Sequence, residues 1–194
     1  MSDRVFDPED YGWDWDSPPS EIVRENRFGT FINLINPNGN VVSNLIVVFV
    51  DGACRNNGTS YAKGGLGVYF GNNSKYNWAG FVRGHVQTSQ RAELAAAIQA
   101  IEQCEEVNRQ YPSITRFVIA SDSQYLVTGI TNWIYKWINN DWMNSAGYPL
   151  ANADLWEELH STLCDSYFDI EFWKVDRDEN QKADEMAKGV LGNK

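Results

Sequence analysis

Only three cysteines occur in the 194 residues: Cys54, Cys104 and Cys164. An odd number at wide spacing builds neither a disulfide framework nor a zinc pattern, so reduced thiols are expected, as inside a cell. Apolar runs are short, and none approaches the ~20 residues that cross a bilayer. The first residues, MSDRVFDPED, have neither the basic end nor the apolar stretch of a secretion signal. A soluble, intracellular protein, cytoplasmic or nuclear and not secreted, is the expectation. Basic residues are also scarce. Sixteen Lys and Arg face 26 Asp and Glu, giving a net charge of −10, which argues against nucleic-acid binding through bulk charge.

The charge is uneven. Residues 1–25 hold eight acids and two arginines, while residues 26–194 hold 18 acids and 14 bases. The body is therefore only mildly acidic, and total charge is a poor guide to its partner. SPPS at 17–20 and NPNG at 36–39 are breakers. Residues 1–43 read as an acidic, largely irregular extension with one short strand at FGTFINLI docking on the body. Residues 44–194 read as one α/β domain, which suits the length.

Within that domain LIVVFVD is a continuously apolar and therefore central strand. GGLGVYFG (64–71) and YNWAGFVRG (76–84) are two more strands, joined by the NNSK turn. SQRAELAAAIQAIEQCEEVNRQ is a helix, with Leu94, Ile98 and Ile101 at helical spacing and Pro112 soon after. TRFVIASD is a fourth strand, SQYLVTGITNWIYKWI one or two helices, ADLWEELHSTLCD a helix, DIEFWKV a fifth strand and NQKADEMAKGVL a last helix. The first three strands form an antiparallel meander, and the later two, each reached through a helix, lie parallel to the first. The expected fold is thus a five-stranded mixed sheet flanked by helices.

Two strands end on acids, Asp51 and Asp122. If they run parallel, both carboxylates emerge at the carboxyl edge, where α/β folds bind ligands. Glu93 near the start of the long helix and Asp184 in the first turn of the last one can join them. Four carboxylates together repel one another and raise each other's pKa. They make sense around hard divalent cations such as Mg²⁺ or Mn²⁺. Two such ions about 4 Å apart clamp the attacking and leaving oxygens of a phosphodiester.

VDGAC, TSQRAEL, ASDSQYL and KADEMA, in this order, resemble the four motifs of type-1 ribonuclease H, and the match runs from about residue 46 to 191. GITNWIYKWINNDWMNSAG resembles the extra helix and loop of the cellular enzymes. The resemblance implies a ribonuclease H-like fold and an endonuclease that cuts the RNA strand of RNA–DNA hybrids with two Mg²⁺ ions, leaving 5′-phosphate and 3′-hydroxyl ends. It implies that Asp51 bridges both ions, that Glu93 and Asp122 complete one site and that Asp184 completes the other. By the same resemblance Asn57, Ser89 and Gln90 touch RNA 2′-hydroxyls. Thr88 and Asn152 hold a DNA phosphate, Trp133 and Trp137 flank the DNA strand, and Ser145 lies close by. A monomer is expected.

Three departures stand out. The loop before Asp184, KVDRDENQKAD, lacks the histidine and glycines of the common form, implying slower or differently timed product release rather than loss of chemistry. The insert carries only Lys136, offset by Asp141, and Val86 stands where arginine is common, implying weaker and less salt-sensitive binding. The extension resembles no hybrid-binding domain. It reads as a solvating tail, or alternatively its YGWDWD lies over the substrate groove as a nucleic-acid mimic. The competing functional reading is a non-catalytic binding or scaffold module of the same fold.

Overall fold

The structure is a computed structural model that describes residues 4–144 and 146–192. Among the described residues seven strands form one mixed sheet: β1 (Val23–Glu25), β2 (Ile32–Ile35), β3 (Val41–Arg55), β4 (Lys63–Tyr69), β5 (Trp78–Phe81), β6 (Arg116–Ser121) and β7 (Asp169–Lys174). β3 is the axis. One edge pairs antiparallel with β2 along its first half and with β4 along its second. The other edge pairs parallel with β6, which pairs parallel with β7. The antiparallel β3–β4–β5 meander and the parallel later strands match the sequence reading. The sheet has seven strands rather than five because the extension adds β1 and β2.

The α-helices among the described residues are α1 (Pro19–Ile22), α2 (Ser89–Gln110), α3 (Gln124–Thr128), α4 (Ile134–Ile138), α5 (Ala153–Asp165) and α6 (Gln181–Val190); a π-helical turn over Gly129–Trp133 joins α3 to α4. No described helix is long and apolar enough to cross a membrane. The cysteines are unpaired: Cys104 is buried, Cys54 half-buried and Cys164 exposed.

A strand that is apolar at every position needs cover on both faces. In β3, Ile46, Val48 and Val50 point into a core with Leu94, Ile98 and Ile101 of α2 and Trp156 of α5. Leu45, Val47 and Phe49 point the other way, where they meet Phe6, Ile22 and Leu34 of the extension together with Trp173 and Ala183. The extension thereby completes the second core. Phe6 N–H donates to Phe172 O and Phe172 N–H to Arg4 O, so the chain start pairs with the free edge of β7. The Trp13 indole donates to Ile35 O at 2.7 Å. The segment, irregular between its short elements, packs as a second layer of the core, and the strand expected at FGTFINLI is β2.

Of YGWDWD, Tyr11 and Trp13 are held against the body of the fold. Tyr11 stacks on Phe6, and its hydroxyl accepts from Arg116 at the opening residue of β6, the opposite end of the parallel strands. The extension is therefore packed on the body at these points rather than loose.

Candidate active site

Phe49 of β3 pairs with Ala120 of β6 in the last rung of their parallel ladder. Two residues on, Asp51 and Asp122 stand side by side at the carboxyl edge. Gly52 brings the third acid. A Cβ there would lie 2.2 Å from the backbone nitrogen of Glu93, so only glycine lets α2 press its first turns against β3. Gly67 does the same for α6, since a Cβ there would meet Ala183 O at 2.4 Å. That contact seats the turn carrying Asp184.

The four acids line one open cleft of about 680 Å³, together with Ser89, Cys54 and the cations Arg55, Arg177 and Lys188. Asp51 is the most enclosed, at 8% exposure. Burial, followed by the charges of Asp122, Asp184 and Glu93, pushes its carboxyl up to about 7 from an ordinary 3.8. Burial also raises Glu93, opposed by the Ser123 hydroxyl that donates to it and assisted by the charge of Asp122.

The other acids are each drawn to a neighbour. Asp122 Oδ1 accepts from Asn180 Nδ2 at 2.9 Å. Asp184 pairs with Lys188 Nζ at 2.7 Å and, at 3.5 Å, with Arg177. As oriented, no three acid, histidine or cysteine side chains among the described residues stand close enough to hold one ion. The donor set nevertheless fits hard divalent cations. Every candidate ligand is an oxygen, the cleft opens to solvent, and the Asp51 carboxyl is raised first by burial and then by the neighbouring acids, whose charge a cation would relieve. Exchange of the present partners for a cation is what loading would require.

Of the expected substrate contacts, Ser89 lines this cleft. Gln90 is exposed beside Ser89, and Asn57 is exposed on the β3–β4 turn, between the left-handed Asn56 and Gly58. Thr88 caps α2, its hydroxyl accepting from Arg91 N–H at 3.2 Å. Arg91 then reaches across to α5, forming a two-pronged pair with Asp154 at 2.8 and 2.6 Å and a long contact with Asn152 at 3.5 Å. Arg91 thereby links Thr88 to Asn152. Trp133 is 42% exposed and packs edge-on against Trp137, which lies on the buried Trp156. The pair therefore divides into one outward ring and one core ring. Ser145 lies outside the described residues. Asn180, Ser123, Arg177 and Lys188 were not singled out from sequence; Lys188, four residues after Asp184 on a helix, carried a signal in its spacing.

A family model described as RNase H matches residues 43–191. Ribonuclease H1 of Homo sapiens is 34% identical over 151 residues, which is 76% of this chain and 50% of the human protein. Ribonuclease H1 of Rattus norvegicus is 30% identical over 177 residues, 89% of this chain and 55% of the rat protein. The chain spans about half the length of these mammalian relatives. Ribonuclease H of Erwinia tasmaniensis is 34% identical over 76% of this chain and 90% of its own length. Among solved structures, LC9-RNase H1, described as a type 1 RNase H with the type 2 active-site motif, is 25% identical. It superposes with a TM-score of 0.58 over 79% of this chain and 74% of its own. LC11-RNase H1, solved in complex with an RNA/DNA hybrid, shares the fold at 16% identity and a TM-score of 0.55, over 75% of this chain and 95% of its own.

Proposed function

This chain belongs to the RNase H family as a type-1 member, and on that premise we propose that it is an endonuclease. It hydrolyses the RNA strand of RNA–DNA hybrids and leaves 5′-phosphate and 3′-hydroxyl ends. The observation that carries this reading is the meeting of four carboxylates, from β3, α2, the end of β6 and α6, in one open cleft. Asp51, Glu93, Asp122 and Asp184 would hold two divalent cations, Mg²⁺ with Mn²⁺ as substitute. Bound there, such ions polarise a phosphodiester and lower the pKa of water.

The chain's own groups do the rest. Asp51, raised to about 7, loses its proton to bind a cation, so proton and cation compete for it. The Ser123 hydroxyl orients Glu93. Lys188 and Arg177 hold Asp184, and a cation there would take their place. Ser89, which lines the cleft, and the exposed Asn57 and Gln90 carry polar side chains suited to a 2′-hydroxyl, the group that distinguishes RNA from DNA. Thr88 and Asn152, linked through Arg91, and the outward ring of Trp133 form the surface proposed for the DNA strand.

The test is incubation of the full chain with end-labelled RNA–DNA hybrid, duplex DNA and duplex RNA in Mg²⁺, followed by analysis of the product ends. Cleavage of the hybrid's RNA strand alone, with 5′-phosphates, is expected. Cutting of duplex RNA at the same rate would overturn the substrate assignment. No cutting of any duplex in Mg²⁺ or Mn²⁺ would leave a non-catalytic module.

A further inference from the structure

Asn180 stands at the start of α6, where an asparagine side chain ordinarily caps the helix. It makes no capping bond. The side chain is turned inward instead, at 1% exposure, and its Nδ2 donates to Val50 O and to Asp122 Oδ1, both at 2.9 Å. Its Oδ1 is buried with no hydrogen-bond partner among the described residues. The two acceptors decide which way the amide faces. Turned over, its oxygen would meet a carbonyl and a carboxylate.

The location gives this bond its meaning. The β3–β6 ladder stops at Phe49 and Ala120. Val50 is the next residue of β3, and Asp122 lies two beyond Ala120. The amide therefore ties the strand carrying Asp51 to the strand end carrying Asp122, just where backbone pairing has ceased. Its chemistry differs from that of Lys188. A lysine holds Asp184 by neutralising it, whereas an amide holds Asp122 without adding charge.

We infer that Asn180 is a positioning residue for Asp122. It fixes one carboxylate oxygen with a neutral donor, so the second oxygen and the full negative charge stay available to a divalent cation. A forgone helix cap and an unpartnered buried oxygen both cost stability. A residue serving the fold alone would avoid both. The inference rests on the proposed metal-dependent reading of the site.

Two measurements test it. The first is thermal unfolding in EDTA of wild type, Asn180→Asp, Asp122→Asn and the double variant. In Asn180→Asp two carboxylates face each other. In the double variant amide and carboxylate have exchanged places, so a donor again meets an acceptor. Asp122→Asn is expected to raise Tm by ~3 °C more in the Asn180→Asp background than in wild type. An equal gain in both backgrounds would mean that Asn180 serves only the Val50 carbonyl and would overturn the inference. The second is Mn²⁺ binding by calorimetry. Asn180→Ala is expected to bind at least ~10-fold more weakly, with kcat for the hybrid reduced and KM little changed. Unchanged Mn²⁺ affinity would also overturn it. Asn180→Ser, whose shorter side chain cannot reach Asp122 and Val50 O together, is expected to weaken Mn²⁺ binding likewise and replaces the alanine variant if that does not fold. If wild type itself neither binds Mn²⁺ nor cuts hybrid, the proposed function fails, while the coupling measured in EDTA still decides whether Asn180 holds Asp122.

Discussion

Asp51→Asn is expected to stabilise the metal-free protein at neutral pH and to do nothing for it in acid. The Asp51 carboxyl titrates near 7 in the folded chain against 3.8 ordinarily, because it is buried among Asp122, Asp184 and Glu93. Between these two values the folded state keeps a proton that the unfolded chain has released. The stability from this group is therefore fully present below about pH 4 and is lost as pH rises through about 7. The full difference amounts to about 4 kcal/mol, and sharing of charge relief among the four acids reduces it to ~2 kcal/mol. Asparagine keeps the shape and removes the charge. Thermal unfolding in EDTA is therefore expected to show no gap between variant and wild type at about pH 4. At about pH 8 the variant should lead by ~5 °C. Mg²⁺ should raise wild type and close the gap. A gap that is the same at both pH values, or a less stable variant at pH 8, would refute the claim that the four charges are crowded together.

Gly52→Ala forces α2 away from β3, since its Cβ would overlap Glu93 N and Ala92 C; hybrid cleavage is expected to fall ~100-fold, with stability lowered by ~2 kcal/mol in a thermal melt. Phe6→Ala empties a core position beneath the sheet and is expected to lower stability by ~3 kcal/mol, with cleavage at low temperature unchanged. A wild-type Tm in this variant would show that the extension is not part of the core. Trp133→Ala is expected to raise KM for hybrid with Tm nearly unchanged, and Trp137→Ala to lower Tm, because one ring faces outward and the other packs on Trp156. The reverse pattern in steady-state kinetics and melts would contradict that division.

The sequence was most legible where a local pattern has a single physical solution. Apolar strands ending on Asp51 and Asp122 announce a carboxyl-edge site, and the parallel pairing sets the two acids in register. The long helix of α2 could be read from its 3.6-residue spacing. What could not be read was proximity between distant segments. The need for glycine at position 52 appears only when the backbone of Glu93 is seen against it. Breakers and acids masked the extension's purpose, because Phe6, Ile22 and Leu34 sit too far apart to form a pattern of their own. Yet the continuous apolar run of β3 did imply a second covering layer. Asn180 reads as an ordinary helix cap, and only its inward turn shows otherwise.

The central claim is that Asp51 and its three companions carry out cation-dependent hydrolysis. The most direct measurement is the single-turnover rate of RNA-strand cleavage in a hybrid, for wild type and Asp51→Asn at equal Mg²⁺. Cleavage by wild type should be abolished by EDTA, and the variant should lose at least ~1,000-fold while staying folded. Cleavage by Asp51→Asn at a wild-type rate would contradict the claim.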